Sequence, residues 1–149
     1  MSTERMSQTS SNRPDRDHTL MEVARVISFR GTCTRAFIGA VIAKQGRIIS
    51  SGYVGAPSGS PHCTDVGCEI GNHNGCIRTV HAESNAIAFA ARFGQSTDGA
   101  TLYTTVSPCN DCAKLIINSG ISRVVFDREY RDSRGLEMLR AADLEVVQL

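Results

Sequence analysis

ATLYTTVSPCNDCAKLIINSGISRVVFD, residues 100–127, decides the fold. Its first seven residues carry β-branched and aromatic side chains and read as a strand. Pro108 suits a position at or just before a helix start, where its missing N–H costs little. A helix over residues 109–118 is closed by Gly120. Residues 122–127 return to strand character. Beyond them, Leu136 and Leu139 mark a helix over residues 132–142, which leads into a last strand near residues 144–148. The second half therefore reads β-α-β-α-β, an order that implies right-handed crossovers and parallel pairing.

Upstream, residues 80–93 form a helix expected to be buried over most of its length. Ala86, Ile87, Ala88, Phe89, Ala90 and Ala91 leave it no polar face. Its polar residues (His81, Glu83, Ser84 and Asn85) crowd the first turns. Residues 36–43 and 47–53 read as two strands of a hairpin that turns at Gly46. Leu20, Val23, Ala24 and Ile27 form an apolar stripe at helical spacing, with Asp15 or Asp17 as the cap. Residues 54–79 are a long irregular stretch rich in Gly, Ser, Pro, Cys and His. A loop of that length needs something to organise it, and a metal is the obvious candidate. Residues 1–14 are polar and end in proline, which predicts a flexible tail. The expected product is one α/β domain over residues 15–149, with a mixed five-stranded sheet. Its N-terminal hairpin is antiparallel and its C-terminal strands are parallel.

The chain has 149 residues, 41% apolar and 21% charged, ordinary values for a soluble globular protein. A net charge of +1 gives no support for a general nucleic-acid-binding surface. No apolar run reaches membrane-spanning length, and no signal-peptide core is visible at the N-terminus. The expected compartment is the cytoplasm. Six cysteines could suggest disulfides, but metal-ligand spacing in a reducing compartment accounts for them better.

The chemistry lies in His81-Ala82-Glu83 and Pro108-Cys109-Asn110-Asp111-Cys112. One imidazole and two thiolates can hold Zn²⁺ and leave its fourth position for water. Glu83, two residues from the histidine, can move protons without occupying the metal. The pattern H-x-E with a later P-C-x-x-C is that of zinc-dependent nucleobase deaminases. Both motifs open helices, so two helix N-termini can face one site and favour thiolate there. A purely structural zinc site would have no use for Glu83. A redox C-x-x-C is disfavoured by the absence of thioredoxin-like surroundings.

The resemblance extends well beyond the zinc motif. Gly39 to Ile42, Gly52-Tyr53-Val54-Gly55-Ala56-Pro57-Ser58-Gly59, His62-Cys63 and Gly67-Cys68 resemble the first half of the deoxycytidylate (dCMP) deaminase family. Cys76 to Ile87 resembles its central block, and the segment from Thr101 to Leu144, with Tyr130-Arg131-Asp132, its C-terminal half. The form with cysteines in the loop is most similar to the bacterial and phage late-competence type. The resemblance implies a three-layer α/β/α cytidine deaminase-like fold and zinc-dependent deamination of a cytosine nucleotide, dCMP to dUMP and ammonia. Water activated at the zinc attacks the ring, with Glu83 as proton shuttle. It implies a homo-oligomer, often a hexamer, with dCTP and dTTP as candidate effectors. Arg30, Val54, Ala56, Asn85 and Tyr130 become candidate substrate contacts, Arg30 through a phosphate. For Arg30 and Tyr130, surface pairing and simple packing are the bland alternatives, and Asn85 can equally fix local backbone.

Val54 departs from the family, whose stretch reads Gly-Tyr-Asn-Gly. Valine cannot supply the amide hydrogen bond, so the pocket either suits a different substrate or compensates with another side chain. A modified deoxycytidylate or another cytosine-containing metabolite therefore stays open. A nucleic-acid base deaminase and a non-enzymatic zinc module are the weaker alternatives. Setting Cys109 and Cys112 aside leaves Cys33, Cys63, Cys68 and Cys76, enough for a closed structural zinc site, with His73 or His62 as substitutes. Some members of the family carry a second zinc at positions resembling Cys33 and Cys63. Cys33 can also be read as a small buried hydrophobe.

Overall fold

In the computed structural model, residues 12–72 and 74–149 are described, and the chain builds a five-stranded sheet flanked by helices. Residues 1–11 of the expected tail, and His73, lie outside the described residues. The elements are α1 (Arg16–Ser28), β1 (Gly39–Lys44), β2 (Arg47–Tyr53), α2 (Cys63–Val66), α3 (Ala82–Arg92), β3 (Thr101–Val106), α4 (Asn110–Asn118), β4 (Arg123–Arg128), α5 (Arg134–Ala141) and β5 (Glu145–Gln148). The strand order is β2-β1-β3-β4-β5. β1 pairs antiparallel with β2 and β3, whereas β3, β4 and β5 run parallel, as the helical crossovers require.

Local chemistry sets the element ends. Asp15 caps α1 by accepting from the His18 N–H at 2.9 Å. Gln45 and Gly46 both take positive φ, which lets the hairpin turn in two residues. β1 begins at Gly39, three residues later than the expected strand, and residues 36–38 approach it as irregular chain.

Side-chain alternation divides the sheet between two layers. Leu20, Met21 and Ala24 of α1 pack on Val41, Tyr103 and Val125 of one face. Ala40, Ile42, Leu102, Val124 and Phe126 face the other way and pack with Ala82 and Ala86 of α3, Ala113 and Ile116 of α4, and Leu136 and Leu139 of α5. The result is the expected three-layer α/β/α arrangement. One expectation fails: α3 buries a single face, Ala82, Glu83, Ala86 and Ala90, whereas Ala88, Ala91 and the adjoining Phe93 are exposed. The sheet covers one side of the helix, and nothing among the described residues covers the other. No described helix is long and apolar enough to cross a membrane.

Candidate active site

The ends of the parallel strands bring two helix starts together. His81 is the N-cap residue of α3 and Cys109 that of α4, both with extended backbone. Gly135 makes this approach close: a Cβ there would stand 2.1 Å from the Pro108 carbonyl oxygen and 2.9 Å from the Cys109 carbonyl. Only glycine lets α5 support the Pro108–Cys109 backbone at this distance.

His81 Nδ1 lies 3.5 Å from Cys109 Sγ and 3.4 Å from Cys112 Sγ. Zinc bonded tetrahedrally to sulfur at about 2.3 Å and nitrogen at about 2.0–2.1 Å sets those atoms about 3.5 Å apart, so the three ligands fit the ion. Ser84 Oγ, 3.4 Å from Cys112 Sγ, can donate to that thiolate. The protonation balance agrees. A hydrogen bond from Cys112, helped by His81, pulls Cys109 down to about 4, while that same hydrogen bond and then burial push Cys112 up. His81 is raised, first by its bond to Cys109. One negative charge and shared protons thus occupy a site whose protons a divalent cation would displace.

Glu83 is fully buried on the first turn of α3, beside these ligands. Burial raises its carboxyl above the ordinary value, which suits a group that must both accept and deliver protons. Its side-chain partner is Thr104, whose one hydroxyl proton can go to Glu83 Oε1 at 3.3 Å or to the Val106 carbonyl at 2.8 Å. Thr104 shares the sheet face of Leu102, which is why it points at α3 rather than at α1.

His81, Glu83 and Cys109 line a cavity of about 260 Å³, with Val54 and Tyr130 in its wall. That size suits one small molecule. The structure does not bring the other expected contacts here. Arg30 is exposed in the turn after α1. Ala56 and Asn85 line a separate depression beside β2 with Phe89 and Phe93, and Asn85 Nδ2 donates to the Tyr53 carbonyl at 2.7 Å, fixing backbone. Sequence reasoning missed Thr104 and Ser84, and it did not single out Arg35 or Arg131, which also line the cavity. Arg131 stood in the quoted Tyr130-Arg131-Asp132 segment, whereas Arg35 gave no local signal.

A second cluster forms in the loop. The sulfurs of Cys63, Cys68 and Cys76 lie within 4.8 Å of one another, and Cys63 Sγ to Cys76 Sγ is 3.7 Å. Two thiolates on one tetrahedral zinc sit about 3.8 Å apart, so this trio also fits the ion. Burial pushes Cys63 up to about 12, while backbone amides of Arg78, Glu69 and Thr79 outweigh the burial of Cys76 and bring it to about 6. Cys33 is not part of the trio: buried, it lines the active-site cavity, and its sulfur accepts from the Arg35 N–H at 3.3 Å. His62 is exposed and outside the trio, and His73 lies outside the described residues. The loop is less irregular than expected. α2 crosses it, and Ile70 and Cys76 form an antiparallel bridge.

Residues 14–128 match the family described as cytidine and deoxycytidylate deaminase zinc-binding region. The chain is 43% identical over 112 residues to ComE operon protein 2 of Bacillus subtilis, covering 74% of this chain and 58% of that protein. It is 36% identical to deoxycytidylate deaminase of Enterobacteria phage T4, covering 86% of each. Among solved structures, dCMP deaminase from the cyanophage S-TIM5 in complex with dCMP and dUMP superposes with a TM-score of 0.82 at 33% identity, covering 92% of this chain and 98% of that one. Fold, paired helix starts and matches over most of the length agree: the chain belongs to the zinc-binding cytidine and deoxycytidylate deaminase family.

Proposed function

We propose that this protein deaminates dCMP hydrolytically to dUMP and ammonia. The observation that carries the reading is a fully buried carboxylate, Glu83, beside a ligand set that leaves one zinc position open, in the lining of a cavity of about 260 Å³. His81, Cys109 and Cys112 would hold the metal. Zinc bound there supplies Lewis acidity that makes water a usable nucleophile at neutral pH. Glu83 takes a proton from the attacking water and passes it to the ring nitrogen beside the reacting carbon, then takes the proton left on the added oxygen and delivers it to the leaving amine. Thr104 holds one carboxylate oxygen and so orients the other. The deaminase from phage T4 and the dCMP-bound S-TIM5 structure support the substrate.

A second reading, a modified cytosine nucleotide, is favoured by Val54. It is buried in the cavity wall at 5% exposure and offers no polar atom from its side chain. Ammonia release from zinc-loaded protein across dCMP, 5-methyl-dCMP, dCTP, CMP, deoxycytidine and a short single-stranded DNA tests both. Fastest turnover of dCMP supports the first, fastest turnover of the methylated nucleotide the second, and silence on all of them overturns both.

We further infer that residues 15–149 form the catalytic unit, and that Cys63, Cys68 and Cys76 hold a second, structural zinc. The protein is read as a cytoplasmic homo-oligomer, a hexamer among the candidates, with dCTP and dTTP as candidate effectors. Exposed Val26, Phe29 and Phe93 support association. Light scattering with and without each triphosphate tests assembly and response together.

A further inference from the structure

Cys76 belongs to two sites at once. Its sulfur is a member of the loop trio with Cys63 and Cys68, and the residue also lines the active-site cavity beside Asn74, Gly75 and Thr79. None of the six cysteines is in a disulfide. Cys63 Sγ nevertheless stands 3.7 Å from Cys76 Sγ, so an approach of about 1.6 Å brings the two to bonding distance. Cys63 is buried and Cys76 is partly exposed. A small oxidant in the cavity therefore meets Cys76 first, with Cys63 behind it.

The backbone around this pair ties its sulfurs to the cavity wall. Cys63 opens α2, a single turn of helix, and the Thr64 N–H donates to the Thr32 carbonyl at 3.2 Å. Cys76 bridges Ile70, the Gly71 N–H donates to the Gly75 carbonyl at 2.9 Å, and the Ile77 N–H donates to the Glu69 carbonyl at 2.8 Å. Arg35 Nη1 in turn donates to the Asn74 carbonyl at 3.0 Å. These bonds couple Cys76 to Asn74 and Gly75, so a pull on its sulfur displaces that part of the wall. The other two candidate thiols are held differently. Cys109 and Cys112 stand at a helix start that the sheet and Gly135 support. Cys68 Sγ lies 3.1 Å from the Thr34 hydroxyl.

We propose that Cys63 and Cys76 are an oxidation site, at which hydrogen peroxide forms a disulfide, expels the loop zinc and distorts the active-site cavity. This rests on the reading of the trio as a zinc site. The Cys76 thiolate attacks the peroxide: an S–O bond forms, the O–O bond breaks and hydroxide leaves. The Cys63 thiolate then attacks that sulfur: the S–S bond forms, the S–O bond breaks and a second hydroxide leaves. The two sulfurs give up two electrons, and the peroxide takes them. Of the trio only Cys68 then remains as a thiolate, too few ligands to retain the metal.

The test adds hydrogen peroxide stepwise to zinc-loaded wild type and Cys63→Ser. Released zinc is read with a chromogenic chelator, thiol pairing by peptide mass spectrometry, and the cavity by dCMP kinetics. In the wild type the first bond formed joins Cys63 to Cys76, and one zinc per chain leaves. KM then rises about tenfold while kcat shifts less than about twofold, because the wall moves and the Glu83 site does not. Dithiothreitol with zinc restores the starting values. In Cys63→Ser the Cys76 sulfenic acid finds no partner and is trapped by dimedone. A first bond joining Cys109 to Cys112, one that includes Cys68, or no bond at all overturns the proposal. So does a Cys63–Cys76 bond that leaves KM unchanged. Should Cys63→Ser fail to fold, the wild-type map decides alone. The zinc reading fails differently, by one ion per chain in fresh protein, and the thiol map and KM then decide the oxidation site without it. If the wild type turns over no dCMP, calorimetric binding of dUMP takes the place of KM.

Discussion

The two cysteine clusters offer zinc nearly the same donors, yet the fold carries them differently. His81, Cys109 and Cys112 stand on the first turns of α3 and α4, and the sheet fixes where those helices start. Cys63, Cys68 and Cys76 stand on the connection between β2 and α3, which has one short helix and two isolated bridges to hold it. The first cluster has a buried proton carrier at its side. The acid nearest the second in sequence, Glu69, is exposed and paired with Arg78 at 3.5 Å. Ligand geometry therefore separates a metal site from no site, whereas the neighbouring carboxylate and the cavity separate chemistry from support.

The largest expected effect follows from that distinction. Glu83→Gln keeps shape and burial but removes proton transfer, so kcat should fall about 10³-fold or more with zinc content unchanged. Steady-state kinetics beside metal analysis checks it. Substantial remaining activity would break the comparison, because the two clusters would then differ only in accessibility.

Cys76→Ser probes the other side. It should lower zinc from two ions per chain to one and cost about 3 kcal/mol of stability through loss of a metal ligand. Because Asn74, Gly75 and Thr79 line the active-site cavity, KM should rise while kcat changes little. A collapse of kcat like that of Glu83→Gln would show the clusters to be one functional unit.

The helices of the first cluster were legible in sequence because the information is local. A proline, a C-x-x-C and a closing glycine mark α4 within a dozen residues. The carboxylate spacing in His81-Ala82-Glu83 likewise needs no tertiary knowledge. What was not legible depends on long-range placement. Cys33 resembles a fourth cysteine ligand by count, but the packing of the α1–β1 connection turns it toward the cavity. Arg30 and Arg35 are alike in composition, and only the path of the chain between them places Arg35, not Arg30, in the cavity lining. The exposed face of α3 was misread for the same reason: an alanine-rich helix reads as buried wherever it sits, until the layers show that one side has no partner among the described residues.

Gly135→Ala tests how far α5 sets the first cluster. The added Cβ would meet the Pro108 carbonyl at 2.1 Å, so the backbone leading to Cys109 must shift, at a cost of about 1–3 kcal/mol. Weaker zinc retention in a chelator titration, with the second cluster unaffected, is the expected signature. Equal loss from both sites would mean that the clusters share one support.

The smallest effect comes from a region that neither cluster touches. Arg123 donates to both oxygens of Asp17 at 2.8 and 2.6 Å, and the Tyr103 hydroxyl donates to Asp17 Oδ1 at 2.8 Å. This network ties α1 to β3 and β4 at the end of the sheet opposite the site. The Arg123 hydrogen bonds hold the Asp17 carboxyl below its ordinary value of 3.8. A depressed carboxylate contributes stability above its ordinary value, and that contribution is lost as pH falls through the lowered one. Asp17→Asn should therefore cost about 1 kcal/mol at neutral pH, since the pair is partly exposed. The gap in melting temperature from wild type should close as the pH drops below 3.8. Zinc content and kcat should stay put throughout. If they move with Asp17, the sheet transmits strain from one end to the other, and the first cluster owes its geometry to more than the two helix starts that carry it.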